Sequence, residues 1–327
     1  MLKKTLIAGA VAVAIAAPGV VFAQAVPVPA DAKLAEAKPP YTLTGNFGLF
    51  SQYIFRGLSQ TDAKPAAQGG FDFAHESGFY LGTWASNISW LKENASLNGG
   101  GGPNLITGTY ESGGSLEWDF YGGYKWSLPN DFVVDFGTLY YAYPGNTSAA
   151  YNAAVTPFVP GFSGAPKADT WEIYVAPSWK WITLKYSYSV MDHTFGTLNS
   201  KGTGYLDLSA NVPLGDLTKS LDGLTLNLHW GYQKYKGTDP RNVLLAGAYG
   251  GATPSNDEIF SYKDVKVGLT YALPKDFSVG AFWSKAFSEN KLGYGGVSDV
   301  AGPPGFFGPF PHDIGKSTGT VFVQKTF

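Results

Sequence analysis

The sequence predicts an all-β fold: a transmembrane antiparallel up-and-down β-barrel of about 12 strands, with short periplasmic turns and long extracellular loops. Three observations carry this. Apolar and polar residues alternate along segment after segment, the period of two that sends successive side chains to opposite faces of a strand. In the clearest hairpin each arm runs to about eleven or twelve residues, nearer the roughly nine to eleven of a tilted membrane strand than the five or six common in soluble sheets. The connectors alternate between tight Pro-Asp-type turns and longer loops, as in bacterial outer-membrane barrels.

That hairpin spans Ser115 to Tyr143. Leu116, Trp118, Phe120, Tyr124 and Trp126 share one face with the aromatic run Phe132, Phe136 and Tyr140, while Glu117, Asp119, Lys125 and Asp135 share the other. Leu128-Pro129-Asn130-Asp131 turns the chain between them, and Leu273-Pro274-Lys275-Asp276 repeats that turn later.

Taken in order, residues 1–25 read as a secretory signal: Lys3 and Lys4, then an uncharged apolar run from Leu6 to Ala17, then small-residue cleavage sites at Ala23 and Ala25. Residues 26–40, rich in Ala, Pro and Lys, form a flexible periplasmic tail, and residues 41–327 form the barrel. The first strand runs through Leu43, Phe47, Leu49, Tyr53 and Phe55 on one face, with Asn46, Gln52 and Arg56 on the other. The second places Phe71 and Phe73 opposite Gln68, Asp72 and Glu76. The third, Phe79 to Trp90, has two competing registers, Tyr80, Trp84 and Ile88 against Phe79 and Leu81. After the hairpin, further strands are centred on Trp171–Val175, Ile182–Val190, Leu206–Val212, Leu224–Tyr232, Val265–Tyr271, Phe277–Trp283 and Thr318–Phe327. A soluble β-sandwich accounts for neither the leader nor the one-sided loop lengths. After residue 25 there is no run of about eighteen apolar residues, so a membrane helix is not on offer.

Composition narrows the function. The 327 residues include no cysteine, which removes disulfides, thiolate metal sites and thiol nucleophiles. Charged residues are 15%, the net charge is −2, and Arg56 and Arg241 are the only arginines, so nothing points to a nucleic-acid partner. No histidine pair has metal-ligand spacing, and no cofactor motif is present. His75-Glu76-Ser77 has a His-x-Ser spacing that puts both groups on one strand face, but it runs into a turn and lacks an orienting group, so no catalytic residue is assigned.

The stretches Gly45-Asn46-Phe47-Gly48, Ser51-Gln52-Tyr53-Ile54-Phe55-Arg56-Gly57-Leu58-Ser59-Gln60-Thr61, Gln68-Gly69-Gly70-Phe71-Asp72 and His75-Glu76-Ser77-Gly78-Phe79-Tyr80-Leu81-Gly82-Thr83-Trp84-Ala85-Ser86-Asn87 resemble the TorF porin family, outer-membrane barrels of Gram-negative bacteria whose solute is generally unassigned. The likeness is dense over residues 43–90 and looser through Glu117-Trp118-Asp119 and the last strand. It implies a barrel and a porin, and supplies no catalytic residue. The end of the chain, Val321, Val323 and Phe327, is similar to the terminal signal read by barrel-insertion machinery, from which Lys325 departs.

Function is expected on the inward face. Ionisable side chains at membrane depth are costly unless they meet water or one another. The inward candidates are Arg56, Asp72, Glu117, Asp119, Lys125, Asp135, Glu172, Lys185, Asp207, Asp264 and Lys266, with Glu76 and Lys180 at the strand ends. They line a solute path or form paired struts. Arg56 suits bidentate binding of a carboxylate or phosphate, or an ion pair with a neighbour such as Asp72. The expected activity is passive diffusion of small hydrophilic solutes across the outer membrane, with membrane lipid outside the barrel. The alternative is a barrel that does not conduct and works through its surface loops. A lipid-acting barrel enzyme has the least support.

Overall fold

The structure, a computed structural model, describes residues 39–96, 114–145, 167–296, 310 and 312–327. The predicted leader and nearly all of the predicted tail lie outside them. Twelve strands close into one antiparallel barrel in which each pairs with its sequence neighbours and the last with the first. They are β1 Tyr41–Phe50, β2 Ala66–His75, β3 Phe79–Asn87, β4 Leu116–Ser127, β5 Phe132–Ala142 and β6 Thr170–Trp179. Then come β7 Ile182–Ser189, β8 Gly204–Pro213, β9 Leu224–Lys234, β10 Tyr262–Leu273, β11 Phe277–Phe287 and β12 Thr318–Thr326. Closure leaves no unpaired strand edge, which is what a sheet needs where no water can satisfy its backbone.

The two faces separate as the alternation predicts. On β4 and β5, Trp118, Phe120, Trp126, Phe132 and Phe136 are exposed on the outer wall, while Glu117, Asp119, Tyr121, Asp135 and Tyr141 are buried inside. Outward aromatics gather near both rims. Phe79 packs on Tyr124 at 5.0 Å and Phe132 on Trp179 at 6.0 Å at the short-turn end. At the long-loop end the indole N–H groups of Trp118 and Trp283 find hydroxyls of Thr83 at 2.7 Å and Ser317 at 2.6 Å. An amphipathic ring with its one donor satisfied suits the membrane–water boundary.

Both Leu-Pro-x-Asp turns place their last two residues in the left-handed region: Asn130 and Asp131 at φ 62° and 65°, Lys275 and Asp276 at 62° and 59°. Short polar side chains tolerate that conformation best, and a turn of this hand matches strand twist. The seam between β1 and β12 ends with Phe327, whose N–H donates to the Gly45 carbonyl at 2.9 Å and whose carbonyl accepts from the Gly45 N–H at 2.7 Å. Lys325 faces outward, but its amine reaches the Lys275 carbonyl and lies 3.6 Å from Asp276. Its charge snorkels to the turn, so an outward lysine costs little there.

Three readings need correction. The first strand ends at Phe50, not beyond Phe55, and Tyr53 and Phe55 lie buried inside the barrel instead of facing out. The third strand takes the register with Phe79 and Leu81 outward and Tyr80 and Trp84 inward, and a short helix, Trp90–Ser96, replaces its predicted end. Glu76 and Lys180 are exposed on the short turns, clear of the lumen. His75 and Ser77 do meet, at 2.7 Å, but on an exposed turn where the same ring nitrogen also accepts the Ser77 backbone N–H at 3.1 Å, the geometry of a turn cap.

Candidate functional site

The barrel holds its core in the lumen. The connection from β1 to β2, residues 51–65, turns inward. Within it Ile54–Phe55 pairs with Leu58–Ser59 as a miniature hairpin, Phe55 opposite Leu58. Its two turn residues are Arg56 and Gly57, at φ 46° and 78°. Both central residues with positive φ define the tight hairpin turn that glycine favours. Glycine is needed at 57 for a second reason: a Cβ there would strike the Asp264 side chain on β10. The loop therefore reaches from β1 across to the far wall. Its apolar residues, Tyr53, Phe55 and Leu58, explain the direction, since burial in the lumen removes them from water.

Arg56 at the tip is bound on several sides. Its guanidinium donates to Glu172 on β6 at 2.7 Å, to Gln233 on β9 at 2.8 Å and to the Tyr141 hydroxyl on β5 at 3.3 Å. The Tyr205 ring lies 4.2 Å from its central carbon and the Phe55 ring 4.8 Å. Arginine keeps its charge in any such setting, and its fork spreads donors among several acceptors. The partner is thus Glu172, not Asp72. Asp72 sits deeper and accepts the Tyr121 hydroxyl at 2.6 Å.

The other predicted side chains sort into three groups. Under the base of the inward loop, Glu117 accepts the hydroxyls of Tyr53 at 2.5 Å and Tyr143 at 2.9 Å. Asp119, beside it on the same face of β4, is fully buried, and neither carboxylate oxygen has a hydrogen-bond partner. Along β3 to β6, Tyr80 donates to Asp135 at 2.7 Å and meets the Tyr174 hydroxyl at 2.5 Å. These rings lie flat on the wall because Gly123 and Gly137 beneath them carry no side chain. Lys125 stands 4.9 Å from the Tyr80 ring and Lys185 3.8 Å from the Tyr174 ring. On the far wall His229 lies between Asp207, at 3.2 Å, and Asp264, at 2.8 Å. Tyr205 donates to Asp264 at 2.8 Å, Ser209 bonds Asp207, and Lys266 stands 5.5 Å from the Phe282 ring.

Sequence reasoning missed His229 and the tyrosine hydroxyls that satisfy most of the acids. Their signal is register: Gly231↔Asp264 and Asp207↔Gly231 set Asp207, His229 and Asp264 around one spot, and pairing offsets cannot be counted across loops from sequence.

The mouth carries its own ties. Asp62 on the inward loop meets His312 at 2.9 Å and Lys64 at 3.2 Å, joining the first long connection to the last. Burial pushes the Asp62 carboxyl upward, but the hydrogen bonds from His312 and Lys64 outweigh it and hold it below the ordinary value. Lys291 spans Glu289 and Asp313, both at 2.6 Å. Burial works against its charge, and those two bonds prevail and raise it above the usual lysine range. Arg241 is buried at the mouth, bonded to Asp239 and to the Gly196 carbonyl at 2.6 Å.

A closed sheet with an aromatic and aliphatic exterior, charges turned inward and one end of short turns defines a membrane-spanning β-barrel of the outer-membrane type. Within that class the chain belongs to the Gcw_chp family, described as a bacterial protein of unknown function, whose model matches residues 34–327. Among solved structures it is similar to the KdgM porin, at 9% identity over 87% of this chain and 99% of that one, with a TM-score of 0.43. It is similar also to the NanC porin, at 10% identity over 88% and 99%, with a TM-score of 0.42. OprD from Pseudomonas aeruginosa matches at 13% identity over 87% of this chain and 65% of that one, with a TM-score of 0.35. No curated protein sequence matches the chain.

Proposed function

We propose that this protein is an outer-membrane channel for passive diffusion of small hydrophilic solutes, exported with loss of the leader and related to the TorF porins. The observation that carries the reading is the inversion of its two faces. The wall is apolar outside, while inside, among the described residues, seven carboxylates stand with one arginine, three lysines and His229. Charge at membrane depth is tolerable where it faces water or a partner, and a row of such groups across the barrel height suits a polar path. The channel needs no cofactor, and its working residues are lining groups rather than catalysts.

The loop carrying Arg56 supports a second reading, a barrel held shut. The tip bridges from one wall to the other, so passage depends on how often that bridge opens. Single-channel recording in planar bilayers, with liposome swelling in sugars, amino acids and dicarboxylates, separates the two. Stepwise conductance and solute-dependent swelling are expected. A purified, folded barrel that passes neither ions nor solutes would overturn the channel in favour of a closed surface protein.

A further inference from the structure

Above the Arg56 bridge, at the long-loop end, lies a pocket with about 660 Å³ of empty space, its open mouth included. Ligand sites usually combine apolar walls with a few polar groups. All six long connections, or the strand ends beside them, contribute to it. Of its fifteen lining residues nine are aromatic and none is charged.

The rings form two ordered walls that meet at Trp90. On one side Trp90 meets Tyr143 edge to face at 5.6 Å, and Phe55 meets Phe195 at 5.5 Å. On the other, Phe260 packs on Tyr235 at 5.5 Å, and Tyr294 on Tyr262 at 5.1 Å. Edge-to-face locking of this sort fixes ring positions before any ligand arrives. Polar groups are few. Gln233 at the floor is already committed to Arg56 and to the Gly204 carbonyl. The indole nitrogen of Trp90 is buried and has no hydrogen-bond partner. A buried donor without an acceptor is rare in a folded chain and is satisfied when a ligand brings one.

From this we infer that the pocket is a binding site for an uncharged, ring-shaped, hydroxyl-bearing solute, held between the two aromatic walls before it passes the Arg56 bridge. The direction of passage rests on the channel reading, but the binding does not. An anion is disfavoured although Arg56 lies just below, because the Phe55, Phe195 and Tyr205 rings and the acceptors Glu172 and Gln233 already occupy its guanidinium. A charged ligand would surrender its hydration to a wall with no countercharge. A ring offers flat faces to the aromatic walls and a hydroxyl edge to Trp90. A linear polyol of similar size offers no face and loses more conformational freedom on binding.

The test is calorimetric titration of the full chain, refolded in detergent, with methyl β-glucoside, the matching methyl β-glucuronide with its free C6 carboxylate (the glucuronate), and sorbitol. Methyl β-glucoside is expected to bind saturably, with the glucuronate and sorbitol at least tenfold weaker. Phe260→Ala should weaken the glucoside at least tenfold, and Trp90→Phe, which keeps the ring but removes the donor, by a smaller factor of about three to ten. Heat-modifiable mobility on gels checks that each variant is folded. The inference is overturned if the glucoside gives no saturable heat, if the glucuronate or sorbitol binds as tightly, or if folded Phe260→Ala binds like the native chain. Saturable binding by a barrel that passes no current would support the site and remove the channel reading.

Discussion

Replacing Arg56 with alanine tests the bridge directly. The substitution leaves the Glu172 carboxylate almost fully buried, with a side-chain exposure of 2%, and its remaining hydrogen-bond donor is the Tyr141 hydroxyl at 3.4 Å. Breaking a buried ion pair by removing one partner typically costs about 3–5 kcal/mol, because the survivor keeps its desolvation and loses its compensation. Glu172→Gln is gentler. The guanidinium keeps Gln233 and the Tyr205 face, and the amide still offers an oxygen, so the loss is that of one charge-assisted bond, about 1.5–3 kcal/mol. The double variant Arg56→Met/Glu172→Gln leaves no unpaired charge and should recover part of the loss, giving a coupling in the upper part of the usual range of about 0.5–3 kcal/mol. If that energy holds the loop across the lumen, the occupancy of the open channel rises by roughly a hundred- to a few-thousand-fold in Arg56→Ala, at about tenfold per 1.4 kcal/mol. Urea unfolding in detergent reads the stability and bilayer dwell times read the opening. An Arg56→Ala barrel with native dwell times and native stability would refute the bridge.

Three further outcomes are expected. Val267→Arg, on the outer face, should cost on the order of 2–4 kcal/mol in vesicle-folding titrations, while Asn211→Arg, facing inward, should cost much less; equal costs would reverse the face assignment. A reversal potential across a salt gradient should show mild cation selectivity that fades toward about 1 M salt, where the screening length falls to about 3 Å, and anion selectivity would contradict the inward charge excess. The Asp62 tie to His312 and Lys64 should stabilise the mouth above the ordinary aspartate value of about 4 and be lost as pH falls through the lower value of the folded state, so loop hydrogen exchange should quicken there in the native chain but not in Asp62→Asn.

The barrel was legible because membrane strands obey one rule over their whole length. Leu116 to Tyr121 and Trp171 to Trp179 alternate without interruption, and the loop lengths set their polarity in the membrane. The same rule misled at Tyr53 and Phe55. The alternation of β1 continues past Phe50 because an inward hairpin also pairs and also places its rings on one side. The signs that the strand had ended were local: Ser51 at the bend, and the Arg56-Gly57 pair of a tight turn. Periodicity reports that a face is apolar, and it is silent on whether lipid or the barrel's own interior covers it.

That ambiguity also explains why acids and bases on the inward face could be found singly but not matched. Each inward position follows from parity along its own strand, whereas Arg56 with Glu172, or His229 with Asp207 and Asp264, depends on offsets between strands joined by long loops. Once matched, the charges differ in kind. Asp135, Asp207 and Asp264 are bonded to neighbours on the wall and would stay so with the lumen open or shut. Glu117 and Glu172 are bonded to Tyr53 and Arg56 of the inward loop, so they lose those partners whenever the loop withdraws. Opening would therefore bare two carboxylates and one guanidinium together. The path's charge is then a property of the loop's position as well as of the wall, and a single static count of inward charges describes only the bridged state.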